Sequence, residues 1–242
     1  MDLKISTFNV NGLADKQKRK DALTYLRELN NDIYLLQETH LIETQESFVR
    51  AEWGNELWLS GKESNKNGVA ILFRPTFEYK LHNVIRDPLG CYLILDIEII
   101  KKRSTIVNVY GPSTGDDPAF FENVSKIIDQ IGNERIVMGG DFNCNLEPMI
   151  DTRNYENPYS RPRTRAKINS VMAHFDLVDV FRSLYPEKKA FSWRKFKSVK
   201  QGRLDYFLIS QSMTGEVNKA SITPGYRSDH SIVNLSLKKD RV

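Results

Sequence analysis

Short apolar runs rich in β-branched residues recur from one end of the chain to the other, and this spread most restricts its fold. Leu3, Ile5 and Thr7 alternate with Lys4 and Ser6, as in a strand, before the Asn11-Gly12 breaker. Similar runs occupy residues 33–36, 68–73, 91–99, 104–110, 204–209 and 231–237, and residues 136–138 form one that ends at Gly139-Gly140. Helical periodicity marks 16–30, where Ala22, Leu23, Leu26 and Leu29 recur beneath a basic face, and also 120–131 and 166–174. Strands outnumber helices, and neither kind gathers in one half. No internal repeat or linker-like tract divides them. The pattern predicts an α/β chain built as a two-sheet β-sandwich with helices on both outer faces, one domain over 1–242, rather than a parallel doubly wound sheet.

With 40% hydrophobic and 27% charged residues, the chain has the profile of a globular protein with a sizeable core. No apolar stretch approaches the ~20 residues a membrane span needs, so no membrane partner is expected. The start lacks the long apolar core of a secretory signal, and Cys91 and Cys144 suit a reducing compartment. An intracellular protein is the reading. Net charge is +4, unevenly placed. From Arg153 to Arg203 there are 13 Lys/Arg and 4 Asp/Glu, a local +9, which leaves −5 elsewhere. A cationic stretch on an acidic body suits a polyanion, although a solvated face would look the same.

Polar residues repeatedly sit just past the C-terminal end of an apolar strand candidate. Six places do so: Asn9-Val10-Asn11, Gln37-Glu38, Asn108-Val109-Tyr110, Asp141-Phe142-Asn143, Asp205 and Ser228-Asp229-His230. Strand ends of an α/β protein converge on one rim, so these groups can meet. Each alone has an ordinary explanation: Asn11-Gly12 as a turn, Asn143 as a cap, Asp205 as a bridge to Arg203, Tyr110 as packing. Together they supply carboxylates, amides, a phenol and an imidazole. No Cys-His zinc spacing, P-loop or nucleophile elbow appears, and no small-molecule cofactor is expected. An oxygen-rich set favours a hard cation, Mg²⁺ with Mn²⁺ as substitute, and phosphoryl chemistry.

The ordered strings STFNVNGL, LLQETHL, NVYGP, GGDFN, RLDYFLIS and RSDHSIV resemble the exonuclease–endonuclease–phosphatase superfamily, whose fold is the DNase I-like four-layer sandwich. Within it the chain looks most like the endonuclease domain of LINE-type non-LTR retrotransposons, especially through RPRTRAKINSVMAHFDLVDVFRSLYPEKKAFSWRKF. The resemblance implies metal-dependent nicking of double-stranded DNA that leaves a 3′-hydroxyl, from which the reverse transcriptase domain of the same polyprotein primes. It also implies action in the nucleus. Glu38 would be the principal metal ligand, with Asn11 beside it and Asp229 in support. Asp141, helped by Asn143, would orient and deprotonate water. His230, braced by Asp205, would contact the scissile phosphate, and Asn9 and Tyr110 would bond phosphate or leaving-group oxygens.

Two departures are visible. Asn11 stands where some repair endonucleases have Asp. Gly202 stands where abasic-site enzymes have Trp and LINE-type relatives often have Ser. An apurinic/apyrimidinic repair endonuclease of the exonuclease III type is the alternative, which the missing Trp disfavours. For holding DNA, the expectation falls on Arg161, Arg163, Arg165, Trp193, Lys195, Lys197, Lys200, Arg203 and Ser228. Residues 191–201 would form a hairpin placed to insert into the duplex.

Overall fold

The apolar runs become strands covered on both faces, which is why several of them show no polar alternation. The computed structural model describes residues 2–62 and 67–238. One six-stranded sheet has the order β14 (Val217–Thr223), β15 (Ile232–Lys238), β1 (Asp2–Asn9), β2 (Ile33–Gln37), β4 (Val69–Phe73), β3 (Leu57–Ser60). The second six-stranded sheet has the order β10 (Leu177–Asp179), β13 (Asp205–Ser210), β8 (Ile136–Asp141), β7 (Lys102–Tyr110), β6 (Tyr92–Ile99), β5 (Lys80–Arg86). A small ribbon joins β11 (Trp193–Arg194), β12 (Gln201–Gly202) and β9 (Thr152–Arg153).

Alternate side chains divide between layers. In β2, Ile33 and Leu35 point between the sheets toward a core holding Ile71, Leu95, Val137 and Phe207. Tyr34 and Leu36 point outward and pack with Leu23 and Leu26 of α1 (Lys16–Leu29) and Trp53 of α2 (Glu46–Trp53). On the second sheet, Ile106 faces inward, while Val107 and Val109 pack with Phe121, Val124 and Ile128 of α3 (Ala119–Ile131) and Ile168 of α5 (Pro162–His174). Helix, sheet, sheet and helix are thus stacked, the DNase I-like four-layer arrangement. Two short helices, α4 (Pro148–Asp151) and α6 (Val180–Leu184), lie between strands. No helix among the described residues is long and apolar enough to cross a membrane.

Among the elements the sequence pattern missed are β3, β5, β14 and α2. The three strands are sheet edges; β5 reads KLHNVIR and β14 reads VNKASIT, so neither carries an apolar run. In α2 only Val49 and Trp53 are buried, too few to mark a periodicity. The Gly139-Gly140 pair does not end β8, which continues to Asp141. A Cβ on Gly139 would come within 2.4 Å of the Phe207 ring, and one on Gly140 within 1.9 Å of the Val109 carbonyl oxygen. The glycines mark close packing there, not a turn.

Candidate active site

Strand pairing sets the polar groups of each sheet at one level. Parallel β1 and β2 place Asn9 beside Gln37, and parallel β7 and β8 place Tyr110 beside Asp141. Antiparallel β13 puts Asp205 opposite Asp141. Asp205 therefore begins its strand rather than following one: β13 runs against β8, so its start reaches the same rim. Between the sheets a buried amide pair ties them together. Gln37 Nε2 donates to Asn108 Oδ1 at 2.7 Å, and Asn108 Nδ2 donates to the carbonyls of Leu36 and Ala70. These amides occupy positions where apolar packing would let the sheets slide, and their hydrogen bonds fix one registration.

Beyond that pair the polar groups form one chain of contacts. Asn9 Nδ2 donates to Glu38 Oε1 at 2.9 Å and to Asp141 Oδ2 at 3.0 Å, linking the two sheets. Tyr110 Oη donates to Glu38 Oε1 at 2.8 Å. His230 Nδ1 meets Asp205 Oδ2 at 2.8 Å, and its Nε2 lies 3.8 Å from Asp141 Oδ2. Asn143 donates its backbone N–H to Asp141 Oδ1 and its side-chain amide to the Gly111 carbonyl. Asn11, Glu38 and Asn143 all hold positive φ, at 49°, 48° and 50°. Left-handed backbone at non-glycine residues costs energy, and here it aims three polar side chains into one cleft.

That cleft has a volume of ≈ 510 Å³ and is lined by Asn11, Glu38, Asp141, Asn143, Asp229 and His230 among others. Burial pushes the Asp141 carboxyl up, and repulsion from Asp205 adds to this, while His230 and Asn9 oppose it. Burial alone would lower His230, but the Asp205 and Asp141 carboxylates outweigh it and hold the imidazole above its ordinary range. The site therefore contains a carboxylate with raised proton affinity next to a ring disposed to be cationic. Burial first, then Glu38, raises the Tyr110 phenol, which stays a donor.

Asp141, Asp205 and His230 bring ligand atoms within 4.8 Å of one another and could hold a metal ion. A second donor set is chemically harder. Glu38 uses Oε1 for Asn9 and Tyr110 and leaves Oε2 without a hydrogen bond among the described residues. Asn11 and Asp229 line the same cleft, joined by Asn11 Nδ2 to Asp229 Oδ1 at 3.2 Å, so the amide oxygen of Asn11 is free to ligate. Oxygen donors of this kind fit Mg²⁺ or Mn²⁺.

The residues expected to hold DNA divide into two groups. Arg163, Lys195 and Lys197 are exposed, and Arg161, Trp193 and Lys200 line the cleft. Trp193 Nε1 donates to Asp229 Oδ2 at 2.9 Å, so the indole buttresses the floor as well as the wall. Residues 191–201 do form a hairpin, closed by Lys195 N–H to the Lys200 carbonyl, with Phe196 79% and Val199 71% exposed near its tip. Arg203 must be reassigned. It is 0% exposed, and its guanidinium holds Asp151 through two bonds of 2.7 and 2.9 Å and Asp179 at 2.6 Å. Arg165 is likewise spent on the Asn145 and Ser160 carbonyls, and Ser228 donates to the Asn9 carbonyl and accepts from His230 N–H. Both brace loops around the site. Arg161 donates to the Pro112, Ser113 and Asn143 carbonyls, clasping the loops after β7 and β8.

The sequence pattern did not single out Asp151, Asp179 and Arg182, which complete the Arg203 cluster, or Tyr155, which lines the cleft. They lie in or beside polar loops, where nothing in spacing distinguishes an ion-pair partner from a solvated charge.

Residues 6–230 match the model of the Endonuclease/Exonuclease/phosphatase family. The chain belongs to this family. The family comprises nucleases and phosphatases, and the acidic cleft is where such hydrolytic chemistry would be done. A 149 kDa protein of transposon TX1 from Xenopus laevis is 31% identical over 98% of the chain, which meets the LINE-type resemblance. The chain spans only 18% of that relative's length. An exodeoxyribonuclease of Bacillus subtilis is 24% identical over 96% of the chain and 98% of its own length. Among solved structures, an AP endonuclease from Leishmania major superposes with a TM-score of 0.83 at 17% identity, over 99% of this chain and 88% of that one. An AP endonuclease from Archaeoglobus fulgidus gives 0.79 at 19% identity over 97% and 99%. These neighbours share the fold.

Proposed function

We propose that the protein is a Mg²⁺-dependent DNA endonuclease that nicks one strand of a duplex and leaves a 3′-hydroxyl, from which the reverse transcriptase of a LINE-type polyprotein copies its template. Its site of action would be the nucleus. What supports this most is the unbroken contact chain Tyr110–Glu38–Asn9–Asp141, with His230 and Asp205 beside it. Glu38, Asn11 and Asp229 would hold the cation, whose charge would polarise the phosphate and stabilise the leaving oxygen. Asp141, held by Asn9 and Asn143, accepts the proton of the attacking water. His230, kept cationic by Asp205, donates to a phosphate oxygen as negative charge builds there. Asn9 and Tyr110 keep Glu38 and Asp141 in fixed rotamers, so the carboxylates need not reorganise during the reaction.

The test is nicking of a supercoiled plasmid followed by mapping of the new ends. Activity is expected with Mg²⁺, none with EDTA, and the ends should be extended by a polymerase without prior phosphatase treatment. Cleavage in EDTA, or ends that need dephosphorylation, would refute the proposal. Running an abasic duplex alongside an intact one separates this reading from a repair enzyme, whose preference would run strongly to the abasic substrate.

Lys195 and Lys197 lie on the exposed hairpin beside the cleft. Each phosphate contact contributes about −0.9 to the slope of log K against log salt. Replacing both with Ala should weaken DNA binding and flatten that slope by about 2. An unchanged slope in a binding titration from 50 to 200 mM salt would take them out of the interface.

A further inference from the structure

Tyr155 stands in the cleft wall near Arg161 and Trp193, and its hydroxyl has no hydrogen-bond partner among the described residues. The ring is held from two sides. Trp193 packs edge-on at 6.5 Å between centroids and 73°, and Lys200 Nζ lies 4.2 Å from the ring centroid. The hydroxyl end rests on bare backbone, because a Cβ at Gly202 would sit 2.6 Å from Tyr155 Oη. The missing side chain at 202 is thus what gives the phenol its place. Lys200 covers one face of the ring. What it offers the cleft is an unused O–H. Burial, and then the Asp141 charge, push the phenol up to about 12, so at neutral pH it keeps its proton and donates.

An unpaired phenol donor beside an ammonium suits an anionic oxygen. We infer that Tyr155 Oη and Lys200 Nζ form a second phosphate subsite, which holds a non-scissile phosphodiester of the strand being cut. The cation over the ring leaves further N–H donors on Lys200 for the same phosphate. The inference rests on the DNA-nicking reading above and deepens it: one phosphate is attacked on the floor while a second is gripped on the wall. Such a grip fixes the register of the strand and carries no base information. Tyr155 would therefore act on substrate binding rather than on the chemical step.

The experiment is a scan in which single phosphates around a mapped nick are replaced by neutral methylphosphonates. For the wild type, one non-scissile position should raise KM about tenfold, the loss of one hydrogen bond to a charged group. Tyr155→Phe should lower kcat/KM about tenfold through KM, and the same position should then be less sensitive to the methylphosphonate, because one of its two partners is gone. Lys200→Met should blunt that position and no other, and the double variant should silence it. Melting temperatures confirm that the variants are folded, and Tyr155→Phe removes one oxygen only. A Tyr155→Phe enzyme with wild-type KM, a loss carried by kcat, or a position whose sensitivity is unchanged in both variants would overturn the subsite while leaving the nicking reading intact. A wild type that nicks no duplex would overturn that reading, and the subsite with it.

Discussion

Asp141→Asn is expected to lower the nicking rate by about 10³-fold while leaving the folded state as stable as the wild type, to within about 1 kcal/mol. The carboxylate is 1% exposed and faces Asp205 across a strand pair. Its position is fixed by Asn9 at 3.0 Å and the Asn143 N–H at 2.9 Å. Burial and Asp205 raise its affinity for a proton, which is the property a water-deprotonating group needs. Asparagine keeps the volume and one acceptor oxygen but has no proton affinity in this range. One hydrogen bond is weakened, yet a buried charge next to another carboxylate is also removed, and these effects on stability oppose each other. Activity and stability should therefore separate. A single-turnover nicking assay and a thermal melt on the same preparation measure both. Nicking within tenfold of wild type would sink the proton-acceptor role, and a loss of activity that merely follows a loss of stability would make Asp141 a structural group.

How much of this site could be read from the sequence depends on where each residue sits relative to a strand. Asn9, Glu38, Tyr110 and Asp141 were legible because each closes or follows an apolar run, and parallel strand pairs carry such ends to one rim. His230 was legible through its Asp229 neighbour and the strand that follows. The direction of β13 was not legible: Asp205 looks the same at either end of a strand, and only its pairing with β8 shows that it starts one. Arg203 was misread for a related reason. Cationic count along a segment says nothing of depth, and the same +9 stretch holds exposed Lys195 and a fully buried guanidinium. For the fold, runs buried on both faces gave strong signals. Edge strands such as β5, whose outer side chains meet solvent, gave none. Gly139-Gly140 shows the limit of local reading, since a pair of glycines marks a turn or a tight contact between layers equally well.

Replacing the buried Arg203 carries the largest expected effect on stability. Its guanidinium is enclosed by Asp151 and Asp179, with Arg182 bonded to Asp151 at 2.5 Å and the rings of Tyr206 and Phe181 at 5.2 and 5.9 Å. The two aspartates hold the guanidinium charged despite its burial. Arg203→Met keeps much of the volume but leaves Asp179 and part of Asp151 as uncompensated buried charge, which costs about 3–5 kcal/mol. For a chain of this size that lowers the melting temperature by roughly 10 °C. Adding Asp151→Asn and Asp179→Asn to the Met variant should restore more than half of the loss, because the penalty lies in the stranded carboxylates rather than in the absent arginine. A surface arginine gripping DNA predicts the opposite pair of results: little change in melting, and a binding slope against salt reduced by about 1. Urea unfolding and a salt titration below the melting temperature decide between them. Because Asp151 precedes β9 and Asp179 ends β10, this buried cluster ties the ribbon behind the Trp193 wall to the second sheet. Loosening it should also raise KM for nicking before the fold is lost, a coupling that measurements on the partly destabilised variant would expose.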